Sequence, residues 1–337
     1  MTSIFFNKSG ITKFFIVGTL LLLLVFTGGC IFQSPSRTNT TPPSPISTQL
    51  NPGITNTTKY VAISAGMLHS LALRNDGNIV TWGEDARGIV KKIPKNLTDI
   101  IAISAGNRYS LALQRDGFVV FWGYPDVKHQ IPTLSNISNI SALSTGCYHS
   151  LALKNDGTVI ARGSDSSGEL FVPASLTNVT NISAGCDHSL SLKNDGTVVA
   201  WGARGRNIYT VFGQADVPAN LTNVVAIAAG GWHSLALKKD GTVVAWGDNE
   251  NGQTNVPANL SNVIAISAGY RHSLALKDDG TVVAWGDNSF NQSNVPANLT
   301  DIKAISGGGA FSLALKNDGK IVCWGANNFG QCDVPDN

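Results

Sequence analysis

One phrase, written in one of its copies as "AGYRHSLALKDDGTVVAWGDN" over residues 268–288, returns seven times, with its glycine at Gly66, Gly106, Gly146, Gly185, Gly230, Gly269 and Gly308. The intervals of 39 to 45 residues lie in the range of propeller blades, units that cannot bury an apolar face alone and stack to form a common core. Within a copy, "NVIAISAG", "HSLALK" and "TVVAWG" are β-branched runs of strand length, too short for helices. An Asp-Gly pair joins the second run to the third, at Asp76, Asp116, Asp156, Asp195, Asp240, Asp279 and Asp318. Between apolar runs this pair signals a hairpin, so these aspartates are read as turn residues, not catalytic acids. Thirty-five glycines and 14% charged residues suit many short strands and tight turns.

The strand period sets Leu274 and Leu276 on one face and Ser273 and Ala275 on the other. Neither face is charged, so both should be covered, large residues of one blade meeting small residues of the next. The expected fold is all-β, a seven-bladed β-propeller built from seven repeats of about 39 to 45 residues, with three or four strands per blade and closure by packing of the first blade on the last. The copies also differ: Tyr109 and Phe311 replace the repeat histidine, Arg162 replaces the repeat tryptophan, and the fourth copy carries an insertion between Trp201 and Gln214.

The "HSLAL", "DG" and "WG" signatures resemble the repeat of the regulator of chromosome condensation family, over residues 60 to 337. The short period and the "WGDNxxGQTxVP" segment are more similar still to the propeller-type β-lactamase inhibitor proteins of soil bacteria. That resemblance implies a seven-bladed propeller. It also implies a binding face that includes aromatic residues at the places of Tyr148 and Trp232; at Leu68, Arg108, Asp187, Arg271 and Ala310 this chain is not aromatic.

Residues 1–29 read as a signal peptide of lipoprotein type, in which Lys8 and Lys13 precede an apolar run ending in Gly28, Gly29 and the lipidated Cys30. Thr27 departs from the aliphatic residue usual there, and the uncharged stretch from Phe14 to Phe32 is also long enough for an uncleaved anchor. Residues 30–58, rich in Ser, Thr, Pro and Asn, form a tether. Residues 59–337 form the propeller, held at the extracytoplasmic side of a cell membrane.

Alternating strands put the loop after "SAG" and the loop after "WG" on one face, here called the top. The bottom loops are monotonous, as in "VPANLTN" from Val217 and "VPANLSN" from Val256, whereas the two residues after the "SAG" glycine differ in every copy. The top collects Arg108, Tyr148, Asp187, Trp232, Tyr270 and Arg271, with Phe290 and Phe329 from loops after "WG" and Arg204, Arg206, Tyr209 and Phe212 from the insertion. Trp, Tyr and Arg are the residues enriched at energetic centres of interfaces, and this set is the candidate partner-binding site.

Five histidines, His69, His149, His188, His233 and His272, share one repeat position. Positions related around a ring do not converge on one ion, so they are read as structural and no metal site is expected. No nucleophile elbow, phosphate loop or paired carboxylate appears, and neither catalysis nor a cofactor is expected. The net charge of +2 gives no footprint for nucleic acid. Beyond Cys30, four cysteines remain in a disulfide-permissive compartment; the favoured pairings are Cys147 with Cys186 and Cys323 with Cys332, free thiols being the alternative. Asn-x-Ser/Thr triplets at Asn96, Asn178, Asn220, Asn259 and Asn298 lie near bottom loops. The expected function is a monomeric, membrane-tethered module that holds an extracytoplasmic protein or glycan at its top face, an enzyme inhibitor being one version. The competing reading is a lectin or an enzyme with a site in the central channel.

Overall fold

Seven sheets of three antiparallel strands, each ordered inner, middle, outer, follow one another along the chain. The structure is a computed structural model and describes residues 58–85, 88–95, 97–123, 137–203 and 211–335. In the first blade the strands are Tyr60–Ala65, His69–Arg74 and Ile79–Gly83; in the sixth they are Val263–Ala268, His272–Lys277 and Val282–Gly286. Each blade has three strands. The segment after each "WG" is a run of turns, as where Thr254 N–H bonds Asn249 Oδ1 at 3.0 Å.

The hairpins join middle to outer strand as their Asp-Gly pairs require. In the first, Gly77 N–H donates to Arg74 O at 3.0 Å and Arg74 N–H to Asn78 O at 2.9 Å. Only the glycine takes the left-handed conformation, at φ 84°. Asp76 acts through its side chain, Oδ1 accepting Asn78 N–H at 2.9 Å, a side-chain turn that aspartate makes readily.

The blades pack large face to small face. Leu235 and Leu237 of the fifth blade meet Ile266, Ala275 and Trp285 of the sixth; Leu274 and Leu276 of the sixth meet Ile305, Ala314 and Trp324 of the seventh. Leu313 and Leu315 of the seventh then meet Tyr60, Ala72 and Trp82 of the first. The ring is closed by the same contact that joins every other pair.

Two hydrogen-bond systems run around the ring. Nearest the axis, an inner-strand serine of one blade accepts a backbone N–H of the next: Ser64 from Ala105 (3.0 Å), Ser104 from Thr145 (3.1 Å), Ser144 from Ala184 (2.9 Å), Ser183 from Ala229 (2.9 Å), Ser267 from Gly307 (3.0 Å) and Ser306 from Ala65 (2.9 Å). The exception is the junction of fifth and sixth blades, where Ala228 stands in place of the serine. Ala228→Ser should therefore stabilise the ring by about 1 kcal/mol, the net worth of a hydrogen bond, read as a raised urea midpoint at constant slope; an unchanged midpoint would show that the girdle contributes nothing net.

Further out, the buried histidines bond the serine that follows the histidine position of the next blade: His69 Nε2 to Ser110, His149 to Ser189, His188 to Ser234, His233 to Ser273 and His272 to Ser312, at 2.8 to 3.0 Å. Ser234, Ser273 and Ser312 donate their own hydroxyl protons to the carbonyls of Gln214, Gln253 and Gln292. The imidazoles facing them must therefore donate from Nε2, which leaves Nδ1 bare, and no Nδ1 of the five has a partner. Each ring lies against the "SAG" glycine of its own blade: a Cβ on Gly185 would stand 2.5 Å from His188 Cε1 and 2.6 Å from the Gly230 carbonyl. The invariant glycine is set by this crowding.

The carbonyls that hold those serines also hold the repeat tryptophans. Trp246, Trp285 and Trp324 donate Nε1–H to Gln214, Gln253 and Gln292 O at 2.9 to 3.0 Å, so the loop leaving one blade caps the next. Trp122 bonds Ile89 O and Trp201 bonds Glu169 O in the same way; because the working group is the backbone carbonyl, the glutamine is replaceable. At the closing seam, Gln331 O receives Trp82 Nε1 at 2.8 Å and Ser70 Oγ at 2.9 Å, and Tyr60 OH donates to Pro335 O at 2.6 Å. Arg162, in place of the tryptophan, turns its Nη1 to Ala161 O at 2.8 Å.

Candidate top-face interface

The loops after "SAG" and after "WG" share a face because they are hydrogen-bonded to each other. Glu84 N–H bonds Leu68 O, Ser164 bonds Tyr148, Ala203 bonds Asp187, Asp248 bonds Trp232, Asp287 bonds Arg271 and Ala326 bonds Ala310, at 2.6 to 2.9 Å. The two variable residues of each blade thus stand on a fixed scaffold.

These residues form two rings of different use. The first after each glycine, Met67, Asn107, Cys147, Cys186, Gly231, Tyr270 and Gly309, lines the mouth of the central channel. There, large packs on small: a Cβ on Gly231 would stand 3.1 Å from Tyr270 Cδ2, and one on Gly309 would stand 2.8 Å from Met67 Sδ. Cys147 and Cys186, with Cα atoms 4.5 Å apart, are joined as a disulfide between third and fourth blades, and Cys323 is joined to Cys332, Cα atoms 5.2 Å apart. The space at the mouth is about 80 Å³, and the space lower down, lined by inner strands, is about 120 Å³.

The second residues reach outward, and several of them meet. Trp232 Nε1 donates to Asp187 Oδ2 at 2.7 Å. Its ring stands edge-on to Tyr270, centroids 4.8 Å apart, and Phe212 approaches from the insertion at 6.3 Å. The Arg271 guanidinium lies 5.6 Å from the Trp232 ring centre and 5.8 Å from that of Tyr270, cation–π distances. Burial pushes the Asp187 carboxyl up, opposed by the Trp232 N–H, and burial likewise raises Tyr270. Tyr148 stands beside this cluster, 49% exposed, on the loop that the Cys147–Cys186 disulfide ties to Asp187. Arg108 is exposed on the second blade. Phe290 and Phe329 are half exposed on their outer loops, their N–H groups held by Gln292 and Gln331 Oε1 at 2.8 and 2.9 Å. Arg204, Arg206, Tyr209 and Cys30 lie outside the described residues.

The acids of the outer loops serve those loops. Asp85 Oδ1 accepts from Val90 and Lys91 N–H, Asp165 from Leu170, Asp248 from Glu250 and Asp287 from Ser289. Burial raises the Asp287 carboxyl, but the Ser289 hydroxyl and amide and, more weakly, the Arg271 charge hold it below the usual range. Among the described residues no three His, Cys, Asp or Glu side chains converge as metal ligands would.

The pairings among these residues are not written in the sequence, and Phe171 of the third blade, 68% exposed, is the most exposed large apolar residue among those described. Its signal was available: "ELFVP" puts Phe where a later copy, "QTNVP", has Asn.

The geometry has known counterparts. A family model, the Regulator of chromosome condensation (RCC1) repeat, matches residues 60–89, 224–253, 263–292 and 302–331, that is, blades one, five, six and seven; the remaining three fold as the same blade. Among solved structures, Prp20p of Saccharomyces cerevisiae, whose description includes binding properties to Gsp1p and histones, is similar at a TM-score of 0.62 and 22% identity, over 76% of this chain and 82% of that one. The ectodomain of the Physcomitrella patens receptor kinase CR4 gives 0.62 and 20%, over 80% and 75%. The ectodomain of the Arabidopsis thaliana receptor kinase ACR4 gives 0.58 and 19%, over 80% and 98%. At these identities the likeness is one of fold. A comparison with curated proteins finds no match.

Proposed function

Because the chain carries regulator of chromosome condensation repeats and folds as a propeller of that type, we propose that it is a non-catalytic binding module that holds another protein against its top face. The observation that carries this reading is the Asp187–Trp232–Tyr270–Arg271 cluster. It gathers aromatic and arginine side chains from three adjacent blades on rigid loops, and rigid aromatic anchors beside arginine are what interface centres use. Binding of proteins by Prp20p supports the same use of the fold here. The disulfides Cys147–Cys186 and Cys323–Cys332 support a place outside the cytoplasm, with attachment through Cys30 or the apolar run before it, both outside the described residues. Inhibition of a secreted enzyme is the specific form of this function suggested by the resemblance to propeller-type inhibitors. A small-ligand or sugar site in the channel is the weaker reading: spaces of about 80 and 120 Å³ fall below the ≈ 300–1,000 Å³ of ligand pockets.

The test is capture of envelope and secreted proteins of the source organism by the full-length chain, beside a Tyr148→Ala, Trp232→Ala, Arg271→Ala variant with unchanged thermal unfolding. The expected result is loss of the captured protein, about thirtyfold or more in affinity if the residues act as hot spots worth about 2 kcal/mol or more in sum. Equal capture by both would remove the site from this face.

A further inference from the structure

The charges of the top face are unequally committed. Asp85, Asp165, Asp248 and Asp287 accept N–H groups of their own loops, and Asp187 accepts the Trp232 indole. Glu84 and Glu250, in the loops after the "WG" of the first and fifth blades, form no ion pair among the described residues. Against these, neither Arg108 nor Arg271 forms an ion pair or side-chain hydrogen bond among the described residues, and the Arg271 charge acts on Asp287 only at a distance and weakly. Arg271 is also preorganised. Trp232 and Tyr270 flank its guanidinium, and Nε is buried and unbonded, so the Nη groups must carry its hydrogen bonding outward. A planar cation held by aromatic rings, its outer edge unused, matches a carboxylate that can take two N–H bonds at once. Exposed Tyr148 and Phe290 supply apolar contact nearby.

Resting on the binding function above, we propose that the partner is a protein presenting an acidic loop, with an Asp or Glu carboxylate seated on the outer edge of Arg271 and further acidic residues directed at Arg108. The aromatic cluster supplies the buried area and the two arginines set the charge of what is accepted. An arginine already stacked in the cluster also excludes a basic or methylated-lysine side chain from the same rings.

The probe is a random linear peptide library displayed on phage and selected on the full-length protein. Enriched peptides should carry an excess of Asp and Glu beside apolar or aromatic residues. Their affinity should fall about tenfold or more in Arg271→Gln, as expected for loss of a charge-assisted bond, and should weaken with rising salt. Arg108→Gln, at an exposed position outside the stack, provides the second variant should Arg271→Gln unfold. Enrichment without an acidic excess, or acidic peptides indifferent to both substitutions, overturns the proposal and leaves protein binding at this face standing. No enrichment at all overturns both, and retention on a glycan array would then assign the face to sugars.

Discussion

Acidification should unfold the propeller cooperatively between about pH 6 and pH 4, with uptake of close to five protons. His69, His149 and His272 are lowered by burial to about 4, and His188 and His233 to about 3, burial first and neighbouring histidines second. A histidine whose folded pKa lies below its unfolded value near 6.5 holds fewer protons folded than unfolded. Its contribution is complete above pH 6.5 and is lost as pH falls towards the folded pKa. At pH 5 this amounts to about 2 kcal/mol per ring, roughly 10 kcal/mol for five, comparable with the whole stability of a domain. The hairpin carboxylates Asp195, Asp240 and Asp279, held near 2 chiefly by the following threonine and also by the lysine two residues before, titrate in a lower window and do not account for a transition above pH 4. The measurement is tryptophan fluorescence and circular dichroism against pH, with the slope giving the protons bound. His272→Tyr, which copies the second blade where Tyr109 OH bonds Ser150 at 2.9 Å, should remove one proton from that slope. A chain still folded at pH 4 would refute the neutral, Nε2-donating histidines.

Removing residues 331–337 should cost about 5 kcal/mol or more, because the ring is fastened there. The cut takes away the carbonyl that receives Trp82 and Ser70, the acceptor of Tyr60 OH and one half of the Cys323–Cys332 disulfide. Each buried donor left unsatisfied costs about 1–3 kcal/mol, and the disulfide and apolar cover add to that. Gln331→Ala keeps the carbonyl and loses the side-chain bond to Phe329 N–H together with the packing of a buried side chain, so its cost should stay at about 1–3 kcal/mol, well below that of the cut. Urea unfolding of the two variants decides between backbone and side chain. Equal, large losses would mean that the glutamine side chain matters for itself.

The blades were legible because their signals are written in side chains: a fixed period, Asp-Gly pairs, and leucines alternating with serine and alanine. What was not legible acts through the backbone. The carbonyls of Ile89, Glu169 and Gln253 do one job under three different names, so nothing in the letters marks it. Asn178, Asn223 and Asn262 take φ of 58° at the foot of the inner strands and offer their carbonyls to the hairpins, a role concealed inside the repetitive "LTN" and "LSN" loops. The variability of Asp187 and Trp232 pointed to the face, but their bond joins positions 45 residues apart and exists only once two blades are side by side. The serine girdle was visible in the "SAG" motif without its meaning, since Ser64 and its counterparts bond across blades rather than within one.

Every bond of that girdle runs in the same sense, each of its six serines accepting from the next blade, and Ser306 accepts from Ala65 in the same way. The first and last blades therefore carry two unlike surfaces made for each other, a heterologous contact that is harmless only while it is satisfied within one molecule. In a molecule sprung open at the seam, the seventh blade fits the first blade of any neighbour as well as its own. The same geometry that makes a ring would then build head-to-tail filaments, and the few residues around Gln331 are what hold the propeller to a single copy of itself.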